Sequence, residues 1–408
     1  MKVTPVKGTN DYLPEQMLLR DKMQQAILST FSSCGFLHIA TPALEDVENL
    51  THSDGGDNLN LIYKILKRGE KLEKALENSD YENLADLGLR YDLTLPLTRF
   101  YSANKDKLPL PFKCIQMDKV YRAERPQKGR LREFMQCDID VIGSSDKNCE
   151  VELILTISKT LKNLGLKNFT IILNDRNIVK EYLKNFGFNE SDFSSICISF
   201  DKLDKIGLDG VKEELLAKEY EESCVSNLIG SLAKGLDLQT IERVIPQCES
   251  VQNLKWIMDK VAAISDGEVK TMFDLTLIRG QGYYTGTVFE IHSEDYHCAL
   301  GGGGRYDNLI GKFLGTQIPA VGFSIGFERI FSLLEKENQL NLRKKIALIY
   351  NDENFVECYK FGQTLTEEYD VSVFKTPNKL GKFLNRLKEI GFTNFCNYSE
   401  SKEIKELN

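Results

Sequence analysis

The sequence contains no long apolar run. No segment approaches the roughly 18 consecutive apolar residues that a membrane-spanning helix needs. Its first eight residues, MKVTPVKG, lack the apolar stretch of a signal peptide. Proline and glycine are ordinary, with 10 and 29 among 408 residues, which excludes collagen-like and low-complexity chains. We therefore expect a cytoplasmic globular protein with no membrane partner.

Paired metal-ligand motifs are also missing. The ten cysteines are dispersed with no C-x-x-C pair, and the four histidines form no H-E-x-x-H sequence. The nearest approach to a metal site is the group His292, His297 and Cys298, in a segment whose pattern predicts strand–turn–strand, where scattered polar residues are normal. Free thiols in a reducing compartment are the simplest interpretation of the cysteines. We expect no structural metal ion.

An overall positive charge is absent. The 52 Lys and Arg against 60 Asp and Glu give a net charge of −8, which argues against a general nucleic-acid-coating protein but allows a local basic surface for one RNA. The common nucleotide-binding loops are missing too. Gly311-Lys312 is followed by Phe313, so there is no Walker loop, and Arg305-Tyr306 interrupts any G-x-G-x-x-G pattern.

The hydrophobic pattern predicts an α+β protein. An amphipathic helix over 15–33 precedes a strand-like segment, 38–44, that contains Pro42 and therefore belongs at a sheet edge. A Lys-, Glu- and Leu-rich helical block interrupts the first domain, and alternating strands and helices end the chain. The predicted domains are a catalytic domain over 1–173 and 268–336, a helical insertion over 174–267, and a C-terminal α/β domain over 344–408.

The densest cationic stretch spans residues 119–132. It carries six Lys or Arg side chains and one Glu, a net charge of +5. Pro126 and Gly129 indicate a loop between two hairpin strands. Guanidinium groups around a turn suit phosphates, because each offers a planar fork of donors and stays charged. A solvated basic hairpin is the alternative at this point.

The segment 277–290 combines an arginine with paired tyrosines. Arg279 is followed by Tyr283 and Tyr284 between glycines. A fixed positive charge beside polar aromatic tips suits a small substrate with a carboxylate, whereas an ordinary hairpin with packed tyrosines is the alternative. Four glycines at 301–304 would let the backbone approach a ligand closely. Arg329, at a predicted strand-to-helix junction, is a further candidate phosphate ligand.

These motifs resemble those of a known enzyme class. Arg122-Ala123-Glu124 before a loop resembles motif 2 of class II aminoacyl-tRNA synthetases, GFSIGFER (322–329) resembles motif 3, and the helix leading to Pro42 resembles motif 1. More specifically, five segments occur in the order found in histidyl-tRNA synthetases: KGTNDYLP (7–14), LRYDLT (89–94), ERPQKGR (124–130), the stretch 279–290 and GGRYD (303–307). The similarity runs from about residue 6 to 335.

The resemblance implies a fold and a reaction. The fold is the class II antiparallel sheet of six or seven strands flanked by helices, with a helical insertion and a C-terminal anticodon-binding-like α/β domain that is short for a complete module. The reaction is ATP-dependent ligation of L-histidine to tRNA(His) through a histidyl-adenylate, with Mg²⁺ accompanying the ATP. An arginine-rich site without a Cys or His nucleophile suits phosphoryl transfer, which needs positioning and charge stabilisation. Motif 1 implies a homodimer.

The resemblance also implies site residues. The ATP-binding residues would be Arg122, Glu124, Arg130 and Arg329. The histidine-binding residues would be Asp92, Thr94, Gln136, Asp140, Arg279, Tyr284 and Tyr306. Arg122 and Arg279 would be catalytic, since both would contact the α-phosphate. The tRNA contacts would be Arg125, Gln127 and Lys128 in the loop. Lys379, Lys382 and Arg386, on one predicted helix face, either contact tRNA phosphates or form a solvated surface.

Departures from the family pattern leave a second interpretation open. Gln281-Gly282 stands where the family usually has Leu-Asp, and Asp92 stands where many bacterial members have Glu. The alternative is a divergent paralogue such as the regulatory subunit of ATP phosphoribosyltransferase. Such proteins keep the fold but typically lose the Tyr-Tyr-Thr-Gly segment and the C-terminal domain, and this sequence has both. A non-catalytic RNA-binding protein is disfavoured, because every expected phosphate arginine is present.

Overall fold

The fold is described by a computed structural model over residues 2–51, 60–126, 130–200, 202–278, 283–337 and 343–407. Two units divide the chain. The first comprises Met1–Asp11 and Lys22–Leu333, and the second comprises Tyr12–Asp21 and Leu334–Asn408. The predicted insertion, 174–267, falls inside the first unit, whereas residues 12–21 and 334–336 of the predicted catalytic domain belong to the second. These domain boundaries remain predictions.

Fifteen strands are found in the described residues. In chain order they are β1 (Leu37–His38), β2 (Leu44–Asp46), β3 (Lys64–Leu66), β4 (Ala85–Leu89), β5 (Phe112–Tyr121), β6 (Glu133–Ile142), β7 (Phe169–Asp175), β8 (Thr271–Phe273), β9 (Thr287–Ser293), β10 (Tyr296–Arg305), β11 (Ala320–Gly326), β12 (Lys344–Tyr350), β13 (Tyr369–Lys375), β14 (Asn394–Asn397) and β15 (Lys405–Glu406).

The same residues contain fifteen α-helices. They are α1 (Pro14–Ser33), α2 (Val47–Thr51), α3 (Glu70–Glu77), α4 (Thr94–Asn104), α5 (Asn148–Asn163), α6 (Arg176–Asn185), α7 (Phe193–Phe200), α8 (Leu203–Ala217), α9 (Glu222–Leu232), α10 (Leu238–Val244), α11 (Glu249–Ile264), α12 (Gly311–Leu314), α13 (Phe327–Glu337), α14 (Phe355–Thr364) and α15 (Leu380–Glu389).

The first unit is built on an eight-stranded sheet of order β1-β5-β6-β11-β10-β9-β7-β8. The six central strands pair antiparallel throughout, which confirms the predicted antiparallel sheet. The two short outer strands, β1 and β8, pair parallel and raise the count above the expected six or seven. The predicted strand over 38–44 is divided before and after Pro42: β1 joins this sheet, whereas β2 lies at the edge of a separate sheet of order β2-β4-β3.

Strand β6 shows why one face of the large sheet carries the polar site. Its alternation places Cys137, Ile139 and Val141 on the opposite face, where all three are fully buried. Gln136, Asp138 and Asp140 therefore share the other face. An apolar strand with three polar residues at period two directs those groups into a single cavity.

A helical region separates β7 from β8. Within residues 176–200 and 202–264 every long element is a helix, α6 to α11, as the Lys-, Glu- and Leu-rich texture predicts. The first of these helices begins with an Asp175 side chain that accepts a hydrogen bond from the Asn177 amide at 2.8 Å, a typical N-cap. Buried apolar residues such as Leu228 and Val251 form the interior of the region.

The second unit contains the predicted small α/β domain. Its sheet has the order β13-β12-β14-β15, with the first three strands parallel and β15 antiparallel. The order β12-α14-β13-α15-β14 confirms the predicted alternation. Residues 338–342, between the predicted catalytic and C-terminal domains, lie outside the described residues.

Two general expectations can be compared with this structure. Cysteines whose side chains are described carry free thiols. Across the described ranges, no helix has both the length and the apolar character required to cross a bilayer.

Candidate active site

One cavity of about 490 Å³ lies on the polar face of the large sheet. It is bounded by β6, β9, β10 and β11, by the turn before α4 and by the loop after β5. The cavity brings together ten residues predicted to bind ATP or histidine: Asp92, Thr94, Arg122, Glu124, Arg130, Gln136, Asp140, Tyr284, Tyr306 and Arg329. Arg279, the remaining member of that set, lies outside the described residues.

Three buried carboxyl groups line the cavity. Asp92, Asp138 and Asp140 are 3%, 5% and 4% exposed. Burial raises the pKa of all three, to about 7 for Asp140 and well above the ordinary value for Asp138, whose pKa the neighbouring Asp140 raises further. Concentrated carboxyl groups in a low-dielectric site favour a cationic ligand, because a positive charge offsets their mutual repulsion.

Asp140 is held by two features of its surroundings. The Tyr306 hydroxyl donates a hydrogen bond to Asp140 Oδ1 at 2.6 Å. Gly322 lies opposite Asp140 in the β6–β11 register, and a Cβ atom there would lie 1.9 Å from Asp140 Oδ1. Glycine is therefore required at this position, because any side chain would occupy the space of the carboxylate.

Asp92 is positioned by the start of α4. Its Oδ1 accepts a hydrogen bond from the Leu95 amide at 3.2 Å, which satisfies one of the amides that a helix leaves unpaired at its N-terminus. Thr94, the first residue of the helix, also forms a side-chain hydrogen bond with Tyr283. The turn thus places a carboxyl and a hydroxyl beside the paired tyrosines.

Gln136 and Asp138 interact within the cavity. Gln136 Nε2 donates to Asp138 Oδ2 at 3.2 Å and lies 3.4 Å from Ser324 Oγ. Gln136 Oε1 is buried and has no hydrogen-bond partner within the part of the chain that the structure describes. Asp138 is missing from the predicted site. Its period-two spacing from Gln136 and Asp140 on one strand is the sequence signal that would have identified it.

Arginines also line the cavity. Arg122 donates from Nε to the Tyr91 carbonyl at 3.1 Å, and its guanidinium lies over the rings of Tyr91 and Phe134 at 5.3 and 5.0 Å. These contacts hold a planar cation at the cavity wall. Arg329, near the start of α13, donates to the Ala299 carbonyl.

The hairpin loop adds an exposed cation beside a carboxylate. Arg130 Nη1 lies 4.0 Å from Glu124 Oε2, and the Arg130 side chain is 59% exposed. Solvent screens a pair of this kind, so the Arg130 guanidinium remains available to a phosphate. The loop as a whole joins antiparallel strands β5 and β6, which confirms the predicted hairpin.

Arg305, from the glycine-rich segment, is structural. It does not line the cavity and instead forms a two-pronged ion pair with Glu150, from Nε and Nη2, both at 2.6 Å. The two side chains are 10% and 2% exposed. The pair fastens the end of β10 to α5, next to the residue that reaches the cavity, Tyr306.

The structure describes four of the six predicted tRNA-binding residues. Arg125 is exposed on the hairpin loop, whereas Gln127 and Lys128 lie outside the described residues. In the second unit, Lys382 and Arg386 are exposed on α15, and Lys379 is exposed just before it. The roles of all of these residues remain predictions.

The histidine–cysteine group considered from the sequence is described in part. His292 Nε2 lies 2.8 Å from Glu290 Oε1, while the side chains of His297 and Cys298 lie outside the described residues. Among the side chains that are described, no three or more His, Cys, Asp or Glu residues are grouped in a way that could hold a metal ion.

The fold and the cavity define the class of protein. A six-stranded antiparallel core carries the cavity on one face, with arginines contributed by a hairpin loop and by a strand-to-helix junction. This is the arrangement of a class II aminoacyl-tRNA synthetase.

Comparison with known proteins identifies the family within that class. The histidyl-tRNA synthetase family model matches residues 8–330. A histidine–tRNA ligase of Leifsonia xyli is 44% identical, covering 97% of this chain and 95% of its own length. A second, of Cytophaga hutchinsonii, is 38% identical, covering 93% and 88%. The chain belongs to the histidyl-tRNA synthetase family.

Solved structures agree on the fold. A histidyl-tRNA synthetase from Nostoc superposes with a TM-score of 0.82 at 25% identity, covering 100% of this chain and 95% of that one. A Bacillus halodurans protein described as an ATP phosphoribosyltransferase regulatory subunit/histidyl-tRNA synthetase gives 0.77 at 21% identity, with 95% and 97% covered. At 21% identity, the second likeness shows the fold alone. The relatives described as histidine–tRNA ligases therefore decide in favour of the ligase interpretation over the paralogue.

Proposed function

We propose that this chain ligates L-histidine to tRNA(His) in two steps, using ATP. The observation that carries the proposal is one cavity lined both by three buried carboxyl groups and by Arg122, Arg130 and Arg329. The carboxyl groups suit a cationic amino acid and the arginines suit a polyphosphate. The identity of the ligase relatives supports the same reaction.

In the first step, a histidine carboxylate oxygen attacks the α-phosphorus of ATP in line. The bond from that phosphorus to the bridging oxygen breaks, and pyrophosphate leaves. Arg122 and Arg279 stabilise the charge that develops on the α-phosphate oxygens, whereas Arg130 and Arg329 bind the remaining phosphates and the nucleotide. Glu124 contacts the adenine. No protein nucleophile is needed, because the substrate supplies the attacking atom.

The histidine is held among the buried carboxyl groups of the cavity. Asp92, Thr94 and Gln136 bind the α-ammonium, and Arg279 binds the carboxylate. Asp140, Tyr284 and Tyr306 surround the imidazole. Other amino acids are rejected because the buried groups that pair with the imidazole nitrogens would be left unsatisfied.

Mg²⁺ enters as part of the ATP substrate. Its preferred ligands are phosphate oxygens, water and one or two carboxylates. Glu290 lines the cavity and supplies an oxygen of that kind, and its Oε1 lies 2.8 Å from His292 Nε2.

In the second step, the terminal ribose hydroxyl of tRNA attacks the acyl carbon of the adenylate, and AMP leaves. Arg125, Gln127 and Lys128 on the hairpin loop approach the acceptor end. Residues 344–408 form an anticodon-binding-like domain in which Lys379, Lys382 and Arg386 contact phosphates, and residues 174–267 form an insertion in the catalytic domain. Translation is the setting of this reaction, so we assign the chain to the cytoplasm.

The active form is a homodimer through the motif 1 region. Support comes from the small sheet β2-β4-β3, where Leu44 and Leu87 share one face of the paired strands and are 50% and 39% exposed. Apolar side chains gathered on one surface are typical of protein interfaces.

Histidine-dependent exchange of pyrophosphate into ATP, followed by histidine charging of tRNA, tests the proposal. The unaltered chain should perform both. Arg122→Ala should lose exchange, whereas Arg125→Ala, a matched change three residues along, should retain exchange and raise the tRNA KM. A chain that binds histidine but performs neither reaction would instead be the paralogue.

A further inference from the structure

Asp138 is the group in the cavity that neither the motifs nor the proposed roles use. Its carboxyl is 5% exposed and lies between Gln136 and Asp140 on the polar face of β6. Across the sheet it is in register with Ser324 of β11 and Gln116 of β5. A carboxyl buried this deeply is costly unless it is paired or has a task.

The Gln136 amide has one arrangement in this environment. Its Nε2 lies 3.4 and 3.2 Å from the two carboxylate oxygens of Asp138 and 3.4 Å from Ser324 Oγ. An ionised carboxylate can only accept hydrogen bonds, so the amide must present its NH₂ group to Asp138. Its carbonyl oxygen, Oε1, then lies buried at the cavity with no partner among the described residues.

We propose that Asp138 is a positioning residue that orients the Gln136 amide so that its carbonyl oxygen accepts a hydrogen bond from the α-ammonium of histidine. This inference rests on the proposed function, because it takes the α-ammonium as the ligand of Gln136. It assigns to Asp138 an effect on the amino end of the substrate and none on the imidazole.

The charge of the substrate supports the same arrangement. Asp140 on β6, Asp92 before α4 and Cys114 on β5 are the titratable neighbours that interact with Asp138. Burial and Asp140 raise the pKa of Asp138 well above its ordinary value. A bound ammonium adds positive charge to this group of acids and favours the ionised carboxylate, which is the form that holds the amide NH₂.

The test uses two competitors of histidine that differ in the amino group. Histidinol has the amine, whereas 3-(imidazol-4-yl)propanoate lacks it. Asp138→Ala should raise the histidine KM and the histidinol Ki about 10- to 100-fold, the range expected for a lost hydrogen bond to a charged group. The Ki of the propanoate and kcat should stay within about threefold. Equal weakening of both competitors, or of neither, would overturn the proposal.

Two further variants separate orientation from folding and from direct contact. Asp138→Asn keeps the size of the side chain and a carbonyl acceptor for the Gln136 amide. Its histidine KM should therefore be close to that of the unaltered chain and well below that of Asp138→Ala. If the alanine variant does not fold, Asp138→Asn takes its place in the test. A similar rise in the Ki values of histidinol and of the propanoate in this conservative variant would contradict the proposal. In a Gln136→Met background, Asp138→Ala should cause no further rise in the histidinol Ki, since the group that Asp138 orients is gone.

Failure of the proposed function would be visible separately. It would appear as an unaltered chain without histidine-dependent pyrophosphate exchange. Calorimetric titration with histidinol and with the propanoate measures binding without turnover, and it would still test whether Asp138 acts on the amino end of the ligand.

Discussion

Tyr306 donates its hydroxyl hydrogen to Asp140 Oδ1 across 2.6 Å, and both side chains are buried. Burial raises the pKa of Asp140 from 3.8 to about 7, even though the Tyr306 hydrogen bond lowers it. The carboxyl is therefore close to its midpoint at neutral pH. Only the ionised form accepts fully from an imidazole N–H, so histidine binding should weaken as the pH falls through about 7.

Replacing Tyr306 by Phe should move this pH dependence upward. The substitution removes the hydrogen bond that lowers the pKa of Asp140, so the carboxyl stays protonated to a higher pH. At pH 7 we expect the histidine KM to rise about tenfold, as for loss of one hydrogen bond to a charged group. The measurement is the histidine KM in pyrophosphate exchange from pH 6 to 9, compared between the unaltered chain and Tyr306→Phe.

The imidazole of the substrate titrates near 6.5, and this titration affects the unaltered chain and the Tyr306→Phe variant equally. The difference between their pH profiles of histidine KM therefore reports on Asp140. Parallel profiles with a constant ratio of KM values would show that Tyr306 does not control the ionisation of Asp140.

A methyl group at position 322 should displace the Asp140 carboxylate. The Cβ atom would lie 1.9 Å from Asp140 Oδ1, so Gly322→Ala should raise the histidine KM about 100-fold, as expected for a shift of roughly 1 Å in a catalytic site. Gly381→Ala is the matched control. A Cβ there meets nothing within 4 Å, and alanine within α15 should stabilise the fold by up to about 1 kcal/mol. Equal KM values for the two variants would contradict the steric argument.

The sequence predicts the parts of the site that depend on strand alternation and local motifs. The hairpin around Arg122, the strand carrying Gln136 and Asp140, and the helix beginning near Arg329 all occur where the pattern places them. These features depend on contacts between residues close in the chain or on period-two burial, which a single sequence records.

Other features depend on distant contacts that no local pattern records. Arg305 and Glu150 are 155 positions apart, so nothing near Arg305 distinguishes a structural arginine from a phosphate ligand. The hydrogen bond between Asp138 and Ser324 likewise joins two strands that are distant in the chain, although the strand alternation itself places Asp138 beside Gln136 and Asp140. The parallel strands β1 and β8 are too short, at two and three residues, to produce a pattern.

The pair formed by Arg305 and Glu150 should matter for stability and little for catalysis. Glu150→Gln removes one of two carboxylates that pair with the buried Arg305 guanidinium, while Asp307 Oδ1 stays 3.3 Å from Nη1, so the free energy of unfolding should fall by about 1–3 kcal/mol. Urea denaturation checks this value. Glu190→Gln breaks an exposed pair with Lys180 and should change stability by less than about 1 kcal/mol. Similar losses from the two changes would show that burial does not strengthen the first pair.

The basic face around α15 should contribute to tRNA binding alone. Replacing Lys379, Lys382 and Arg386 together by Ala should raise the tRNA KM about tenfold and reduce the slope of log affinity against log salt by about one unit per lost contact. Pyrophosphate exchange should not change. Lys388→Ala removes an exposed cation from the opposite side of the same helix and should leave the tRNA KM unaltered. An unchanged KM in the triple variant would assign this face to solvent.

The leucines of the small sheet should control oligomeric state. Leu44 and Leu87 lie on neighbouring antiparallel strands and are half-exposed or nearly so. In a dimer, two carboxylates at these positions would be desolvated without partners, which is costly. In a monomer they would remain in water. The double variant Leu44→Asp with Leu87→Asp should therefore sediment as a monomer and still unfold cooperatively on heating. The unaltered chain should sediment as a dimer. Val356→Asp is the control: it places a carboxylate at an exposed apolar position on α14 and should leave the dimer intact. If the double variant still formed a dimer, the interface would lie elsewhere.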